Sequence, residues 1–452
     1  MISQPTVTVL GRDPSRRRQF NINCYAFQQD AIVTFKGWQY ACFYSFRQSD
    51  SSDGTGEPLY VHVARRQLPR GDWEVLVLDD YGQKTDDGHN TVQMGISPVD
   101  GVIHLSFDHH CDVLKYRSSV PGVATRPSDF EWTAELFTPT VNALPGLPAS
   151  HPPFRDVTYP RFFGTLGGHL FCSFRDGKAG LGNDHLYLYE PAEKRFVYVG
   201  RHLTGIQSNP YVHGMDWRDG KLHVTWVYRG FVYYDGWNDP LDTKHKQQAG
   251  PNGAENNHDI CYAYSDDMGY TWRNGTGTVI ARLREGESIT NDAEGIVAFK
   301  IPKHSGLTNQ EAQTVDQDGG VHVLNRDTLD GTEHGAVWRH YYRSPEGIWS
   351  RRPIRPVAGS ARGRLAVSKA GDLYILLPNF ASSELQILRA SREGGYATYE
   401  EVWRGSRLTG EPLVDPTRLE HDNVLSVLVL AEKEDDDDPA RGRDVAVLDF
   451  QL

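Results

Sequence analysis

Long apolar runs are missing from this chain of 452 residues. Nothing approaches the roughly 18 consecutive apolar residues that read as a membrane-spanning helix, so no membrane partner is expected. Basic charge is in short supply: 47 Lys and Arg stand against 59 Asp and Glu, for a net charge of −12. That argues against nucleic acid as a partner, but not against a small anionic substrate, because a site can be locally basic. Cysteine is sparse and odd in number, with Cys24, Cys42, Cys111, Cys172 and Cys261 at no framework spacing. Cys42, Cys172 and Cys261 lie inside apolar strand runs and read as buried thiols; a disulfide between some pair stays open. The first twenty residues have no apolar stretch of the kind a signal peptide needs. None is expected there, and the compartment is left open; secretion would need a leader outside this sequence. Asn274-Gly275-Thr276 fits the glycosylation pattern, but such tripeptides are too common to fix a compartment.

What is present points one way. Glycine (44), proline (25) and aromatics (11%) are plentiful, and many short aromatic strands between turns are an all-β signature. A glycine turn followed by a short strand recurs: GWQYACFYSF (37–46), DGVIHLSF (100–107), GGHLFCSF (167–174), DGKLHVTW (219–226), DGGVHVLN (318–325) and AGDLYILL (370–377). Several copies continue into a second aromatic strand and then a polar turn ending at Trp73, Phe196, Trp272 or Trp349. The last segment, VLSVLVLAE and DVAVLDF, fits once more. About seven such copies predict a single domain over residues 1–452: a seven-bladed β-propeller of four-stranded antiparallel blades. The strand near Val7–Leu10 would complete the last blade. Two stacked sandwiches are the alternative. The acidic run 434–438 reads as a solvated loop. Ser265–Trp272 matches the Asp-box pattern S-x-D-x-G-x-x-W, a structural turn.

The stretch HNTVQMGISPVDGVIHLSFDHH, residues 89–110, reads as a hairpin. His89 and His109 lie 20 apart about position 99, so the pairing sets two imidazoles opposite each other at its open end. Tyr159 and Arg175 lie 16 apart about position 167, in the turn Leu166–Gly168. In a propeller the open ends of these hairpins face the central funnel. Arg47, His109, Arg175, Arg229 and Arg326 close equivalent strands and would form an anion-binding rim. Asn257 and His258 open a strand at what reads as the same face, with a polar loop as the plain alternative. His213, on an inner strand, suits the site or the core equally. A metal site built from His109, His110, Cys111 and Asp112 lacks a recognisable zinc spacing, and no metal ligand is assigned.

A mouth rich in arginine with histidine and tyrosine, and without an obvious pair of carboxylates, does not suit an ordinary glycosidase. It suits β-elimination from a uronic acid. There a base removes the C5 proton beside the carboxylate, arginine or asparagine stabilises the developing charge, and His or Tyr protonates the departing O4.

Taken together, DGHNTVQMGIS, DGVIHLSFDHH, VTYPRF, FSFRDGKAGLGNDHLYLYE, LHVTWVYR and NNHDICYAYSDDMGYTW resemble the BNR-repeat propeller polysaccharide lyases, which include ulvan lyases and fungal L-rhamnose-α-1,4-D-glucuronate lyases. The likeness runs from about residue 30 to 375. It implies a seven-bladed propeller, cleavage of a rhamnosyl-(1→4)-glucuronate bond, and an acidic, glucuronate-containing glycan as partner. It also implies catalytic roles for His89, His109, Tyr159 and Arg175, a carboxylate-binding role for Arg229, and a place near the site for Asn257 and His258. The expectation is that His109 takes the C5 proton and serves the leaving oxygen, with Tyr159 assisting. His89, Arg175 and Arg229 would hold the carboxylate. Register leaves His109 and His110 interchangeable by one residue. Arabinogalactan side chains, as in gum arabic, are the first expectation and ulvan the second. No cofactor is required for catalysis, a structural calcium ion is compatible with the central tunnel, and a monomer is expected. A sialidase would also use a propeller, arginines and a tyrosine, but would need a Glu/Tyr pair and several Asp boxes. A non-catalytic carbohydrate-binding propeller would not need His89, His109 and Tyr159 to converge.

Overall fold

The computed structural model describes residues 2–14, 20–27, 29–47, 58–164, 168–177, 182–232, 252–329, 335–432 and 442–452. These residues form seven antiparallel sheets that follow one another along the chain, the blades of a seven-bladed β-propeller. The first blade is Ile32–Phe35, Trp38–Ser45, Leu59–Gln67 and Glu74–Gln83. Blades five and six, from Ala312 to Pro356 and from Arg364 to Ser406, have the same four-strand order. The seventh closes the ring as the sequence suggests: Thr6–Asp13 pairs antiparallel with Arg443–Gln451. Arg443 seals the seam with a 2.8 Å ion pair to Asp13.

Three blades depart from the expected four strands. The second keeps three: Val92–Ile96, Ile103–Phe107 and Tyr116–Ser118. The chain after Phe107 passes through Asp108 at φ 61°. It then leaves that blade, and His110–Asp112 pairs with Val157 and Thr158 of the third. The third blade (Val157–Gly164, Leu170–Asp176, Asn183–Glu190 and Arg195–Leu203) therefore carries five strands, and the fourth, from Ser208 to Phe299, carries six. The predicted turn at Leu166–Gly168 and the acidic run 434–438 lie largely or wholly outside the described residues.

Second strands are apolar on both faces because a blade is covered on both sides by its neighbours. Leu170–Asp176, for example, is buried through its first six residues. Large rings fill the gaps between blades. Trp226, Trp272, Phe43 and Tyr341 are fully enclosed, each contributing roughly 1.5–3 kcal/mol by burial. The Asp box behaves as a structural turn. Ser265 Oγ accepts the Gly269 N–H at 2.8 Å and Asp267 accepts the Thr271 N–H at 2.7 Å, while Trp272 stacks on His202. All five cysteines are buried free thiols. No helix among the described residues is long and apolar enough to cross a membrane.

The axial tunnel is lined with charge. Glu311 pairs with Arg326 at 3.0 Å and Glu411 with Arg362 at 3.4 Å. Asp30 accepts the Phe162 N–H at 3.0 Å. Burial pushes Asp30 up to about 6 and Glu311 up to about 7.

Candidate active site

Strand pairing decides which histidines meet. The pairs Val92–Phe107 through Ile96–Ile103 centre the second-blade hairpin between positions 99 and 100, half a residue beyond the expected centre. The pairing ends at Val92–Phe107, and the turn at Asp108 then brings His110, not His109, to His89. The two rings stack with centroids 3.9 Å apart. Asp87 joins them: Oδ1 lies 2.5 Å from His89 Nδ1, and Oδ2 lies 2.6 Å from His110 Nδ1. The same carboxylate accepts the His89 backbone N–H at 2.9 Å. An ionised carboxylate only accepts hydrogen bonds, so each Nδ1 carries hydrogen and Nε2 of a neutral ring keeps a free lone pair. Below the mouth, Asn90 bonds Asp108 at 2.6 Å, tying the two sides of the hairpin together.

His109 is placed elsewhere. Its ring is buried, and Nε2 accepts the Lys115 backbone N–H at 2.8 Å. The left-handed Asp108 reorients the chain after Phe107, so His109 turns into the protein and His110 outward to Asp87.

Tyr159 and Arg175 do meet, through a bulge rather than simple opposition. Thr158 pairs with Arg175, and the register then shifts before Arg161 pairs with Ser173. Tyr159, in the bulge, has φ 57°, a conformation that costs a non-glycine residue about 1–2 kcal/mol. It presents its ring to Arg175, whose guanidinium carbon lies 4.9 Å from the ring centroid. Tyr159 also contacts Phe27 at 5.1 Å and His89 at 5.6 Å. Arg229 is held by Asn257, whose Oδ1 accepts from Nε at 2.9 Å and whose amide donates to Leu307 O at 2.7 Å. Asn257 thus orients Arg229.

Three other expectations land away from this cluster. His213 is fully enclosed in the tunnel wall, with Nδ1 accepting the Glu311 N–H and Nε2 3.4 Å from Asn325. His258 stacks on Tyr228 and pairs with Asp259, on the face of its strand opposite Asn257. Of the expected rim, Arg47 pairs with Asp79 over Tyr60. Arg326 is spent on Glu311, Thr308 and the carbonyls of Gly359 and Ser360.

Sequence reading missed four participants. Asp87 sits two residues before His89, a spacing that an Asx turn could have signalled. Phe27 stacks on the other face of His89 at 4.7 Å, and Arg362 lies over Phe27; both come from segments between blades that carry no repeat signature. Tyr211, on the first strand of the fourth blade, is flanked by Arg175 at 5.5 Å and Arg229 at 4.7 Å.

Burial holds the Tyr159 phenol well above its usual range, only partly offset by Arg175. Burial would do the same to Tyr211, but Arg229 and Arg175, with hydrogen bonds from Asn209 and Arg175, hold it below its usual value. Burial, with the neighbouring His110, pushes His89 down to about 4 against the pull of Asp87. Asp87 stays far below the usual carboxylate range: the hydrogen bonds from His110 and His89 outweigh its burial. The result is a neutral imidazole with a fixed tautomer, a protonated phenol in contact with both that imidazole and the Arg175 guanidinium, and a second guanidinium, Arg229, against Tyr211. Asp87, His89 and His110 also offer three ligand atoms within 4.8 Å of one another. Those atoms are already joined by hydrogen bonds, and no fourth side chain among the described residues completes the group.

Residues 38–356 match the profile of the family described as BNR repeat-containing family member. Among characterised proteins, the chain is 29% identical over 278 residues to the long isoform of an ulvan lyase from Alteromonas sp, covering 53% of this chain and 26% of that protein. It is 27% identical over 341 residues to the long isoform of an ulvan lyase from Pseudoalteromonas sp. (strain PLSV), covering 66% and 31%. The matches thus span about a quarter to a third of those relatives' length. Among solved structures, the polysaccharide lyase Uly1 superposes with a TM-score of 0.71 at 19% identity over 100% of this chain and 99% of the other. An ulvan lyase of polysaccharide lyase family PL25 gives 0.64 at 15% identity over 98% and 96%. These likenesses agree on the propeller, and the profile match spans well over half of the sequence: the chain belongs to the BNR repeat-containing family.

Proposed function

We propose that the protein is a polysaccharide lyase that cleaves a rhamnosyl-(1→4)-glucuronate bond by β-elimination. The carrying observation is that the protonated phenol of Tyr159 touches both an imidazole whose tautomer Asp87 fixes and the Arg175 guanidinium, with Arg229 one ring away on Tyr211. The uronate carboxylate binds the two guanidinium groups, which neutralise it and make the adjacent C5 proton more acidic. His89 Nε2 takes that proton, and Tyr159 donates one to O4 as the C4–O4 bond breaks. The C4–C5 double bond forms from the C5–H electron pair. In a 4-linked glucuronate the C5 proton and O4 lie on one face of the ring, so neighbouring groups on one side of the site serve both steps. This assigns to His89 the role expected of His109, whose Nε2 is already engaged in the interior.

Glucuronate and rhamnose both appear in the ligand of a related structure, an ulvan lyase bound to -[GlcA(1-4)Rha3S]-. Three of the four relatives above are named for ulvan, so ulvan is the first substrate to try and gum arabic the second. Elimination leaves a double bond conjugated to the carboxylate, which absorbs in the ultraviolet; hydrolysis does not. Rising absorbance with either glycan, lost in His89→Ala and Tyr159→Phe, is the expected result. Reducing sugar released without that absorbance would overturn the mechanism.

A further inference from the structure

Arg175 and Asp176 are consecutive at the end of one strand and point to opposite faces of the sheet. Arg175 turns to Tyr159 and Tyr211. Asp176 turns into a separate cleft of about 400 Å³ on the outer half of the third blade, closed on one side by Pro152 and Pro153. Strands lie about 4.8 Å apart. The third and fourth strands, which carry this cleft, are therefore roughly 10–15 Å outward from Tyr159 on the first, a few sugar units along an extended glycan.

The cleft is built as a sugar site is built. Tyr198 is 38% exposed, yet its position is fixed. Its hydroxyl bonds His185 Nδ1 at 2.8 Å, its ring packs on Tyr187 at 5.2 Å, and His151 meets it edge-on at 5.0 Å. Asp176 is fixed in turn, 3.0 Å from His185 Nε2 and accepting both the backbone and side-chain N–H of Asn183. At the edge, Arg201 is exposed and has no carboxylate partner among the described residues, and Glu287 lies exposed near it. A held aromatic face beside a fixed acceptor, with a guanidinium and a second carboxylate at the edge, matches a pyranose, which is apolar on its ring face and polar around its edge.

We infer that this cleft is an outer subsite for a further sugar unit of the glycan, stacked on Tyr198 with its hydroxyls, not an acidic substituent, towards Asp176 and Glu287. The inference rests on the lyase reading for the glycan's identity, but on its own geometry for the site. An enzyme so built gains affinity from chain length without contacting the bond it breaks.

The test compares short and long unsaturated ulvan oligosaccharides, the smallest product and one several repeats longer, in equilibrium binding by calorimetry. KM for substrates of matched lengths is measured alongside. Proteins compared are wild type, Tyr198→Ala, Tyr198→Phe and Arg201→Ala. Expected is a roughly three- to tenfold weaker Kd and higher KM in Tyr198→Ala, for the long chain only, with Tyr198→Phe close to wild type because the ring is retained. Arg201→Ala, at the exposed edge, should show a smaller loss with the same length dependence. Equal weakening for both lengths would mean that Tyr198 only props up the fold, and no weakening would mean that the cleft binds nothing; either result overturns the inference. Wild type that binds the long chain better than the short but yields no unsaturated product would sink the lyase reading and leave the subsite standing.

Discussion

His89 and His110 stack 3.9 Å apart with both Nδ1 atoms on the single carboxylate of Asp87. Burial, helped by the neighbouring His110, keeps His89 neutral down to about pH 4 instead of the ordinary 6.5. The active form of the proposed base is the neutral one. Activity should therefore persist through mildly acidic pH, with the acid limb of kcat/KM falling near 4. Stability follows the same group with this sign: the unfolded chain takes up a proton near 6.5 and the folded chain only near 4. His89 thus contributes nothing above about 6.5, and costs stability progressively as pH falls to about 4. A pH–rate profile beside a pH series of denaturant melts checks both.

Replacing neighbouring histidines should separate chemistry from folding. His110→Ala removes the ring that stacks on His89 and one of Asp87's two imidazole partners, and kcat should fall about 10–100-fold with little change in melting. His109→Ala takes the imidazole acceptor from the half-buried Lys115 N–H. It should cost about 1–3 kcal/mol of stability, while the folded fraction keeps kcat near wild type. Steady-state kinetics normalised to folded protein decide this; a large kcat loss confined to His109→Ala would reverse the assignment.

Asp87→Asn keeps the shape but replaces the carboxylate that fixes both tautomers. A fall in kcat of about 10²-fold or more is expected, with KM little changed. Its acid limb should also differ from that of wild type, because the negative charge that favours protonated imidazole is gone.

Asn257→Ala tests positioning. Arg229 keeps its charge but loses the acceptor that aims it, so KM for the uronate substrate should rise several-fold, less than in Arg229→Ala, where the charge itself is lost. Arg175→Ala should act mainly on kcat, by roughly 10²–10³-fold, because the charge it opposes grows as the C5 proton leaves.

Ring closure has its own weak point. Asp449 accepts from Arg66 and Arg418, each at 2.6 Å, and all three side chains are buried. Asp449→Ala leaves two buried guanidinium groups without that carboxylate and should cost about 3–5 kcal/mol, read as a lower denaturation midpoint.

The repeat was legible because it is local. Glycine turns, alternating aromatics and the strand that closes the last blade are written within short windows, and their recurrence at a fixed period points to a repeat architecture. Tyr159, Arg175, Arg229 and Asn257 were legible for the same reason, as residues at the ends of strands whose partners lie nearby in sequence. The extra strand His110–Asp112 was not, because it follows from one left-handed residue, Asp108, that no periodicity marks.

The sequence by itself determined a β-propeller and the strand ends that carry Tyr159, Arg175, Arg229 and Asn257. Only the tertiary structure decided which histidine faces His89. The left-handed turn at Asp108, beyond the last pair of the hairpin, sends His109 to the interior and His110 to the site. It alone also brought Phe27, Tyr211 and Arg362 to that centre. Those residues come from different blades or from segments between blades, and their meeting depends on how the ring closes, a distance that no stretch of sequence measures.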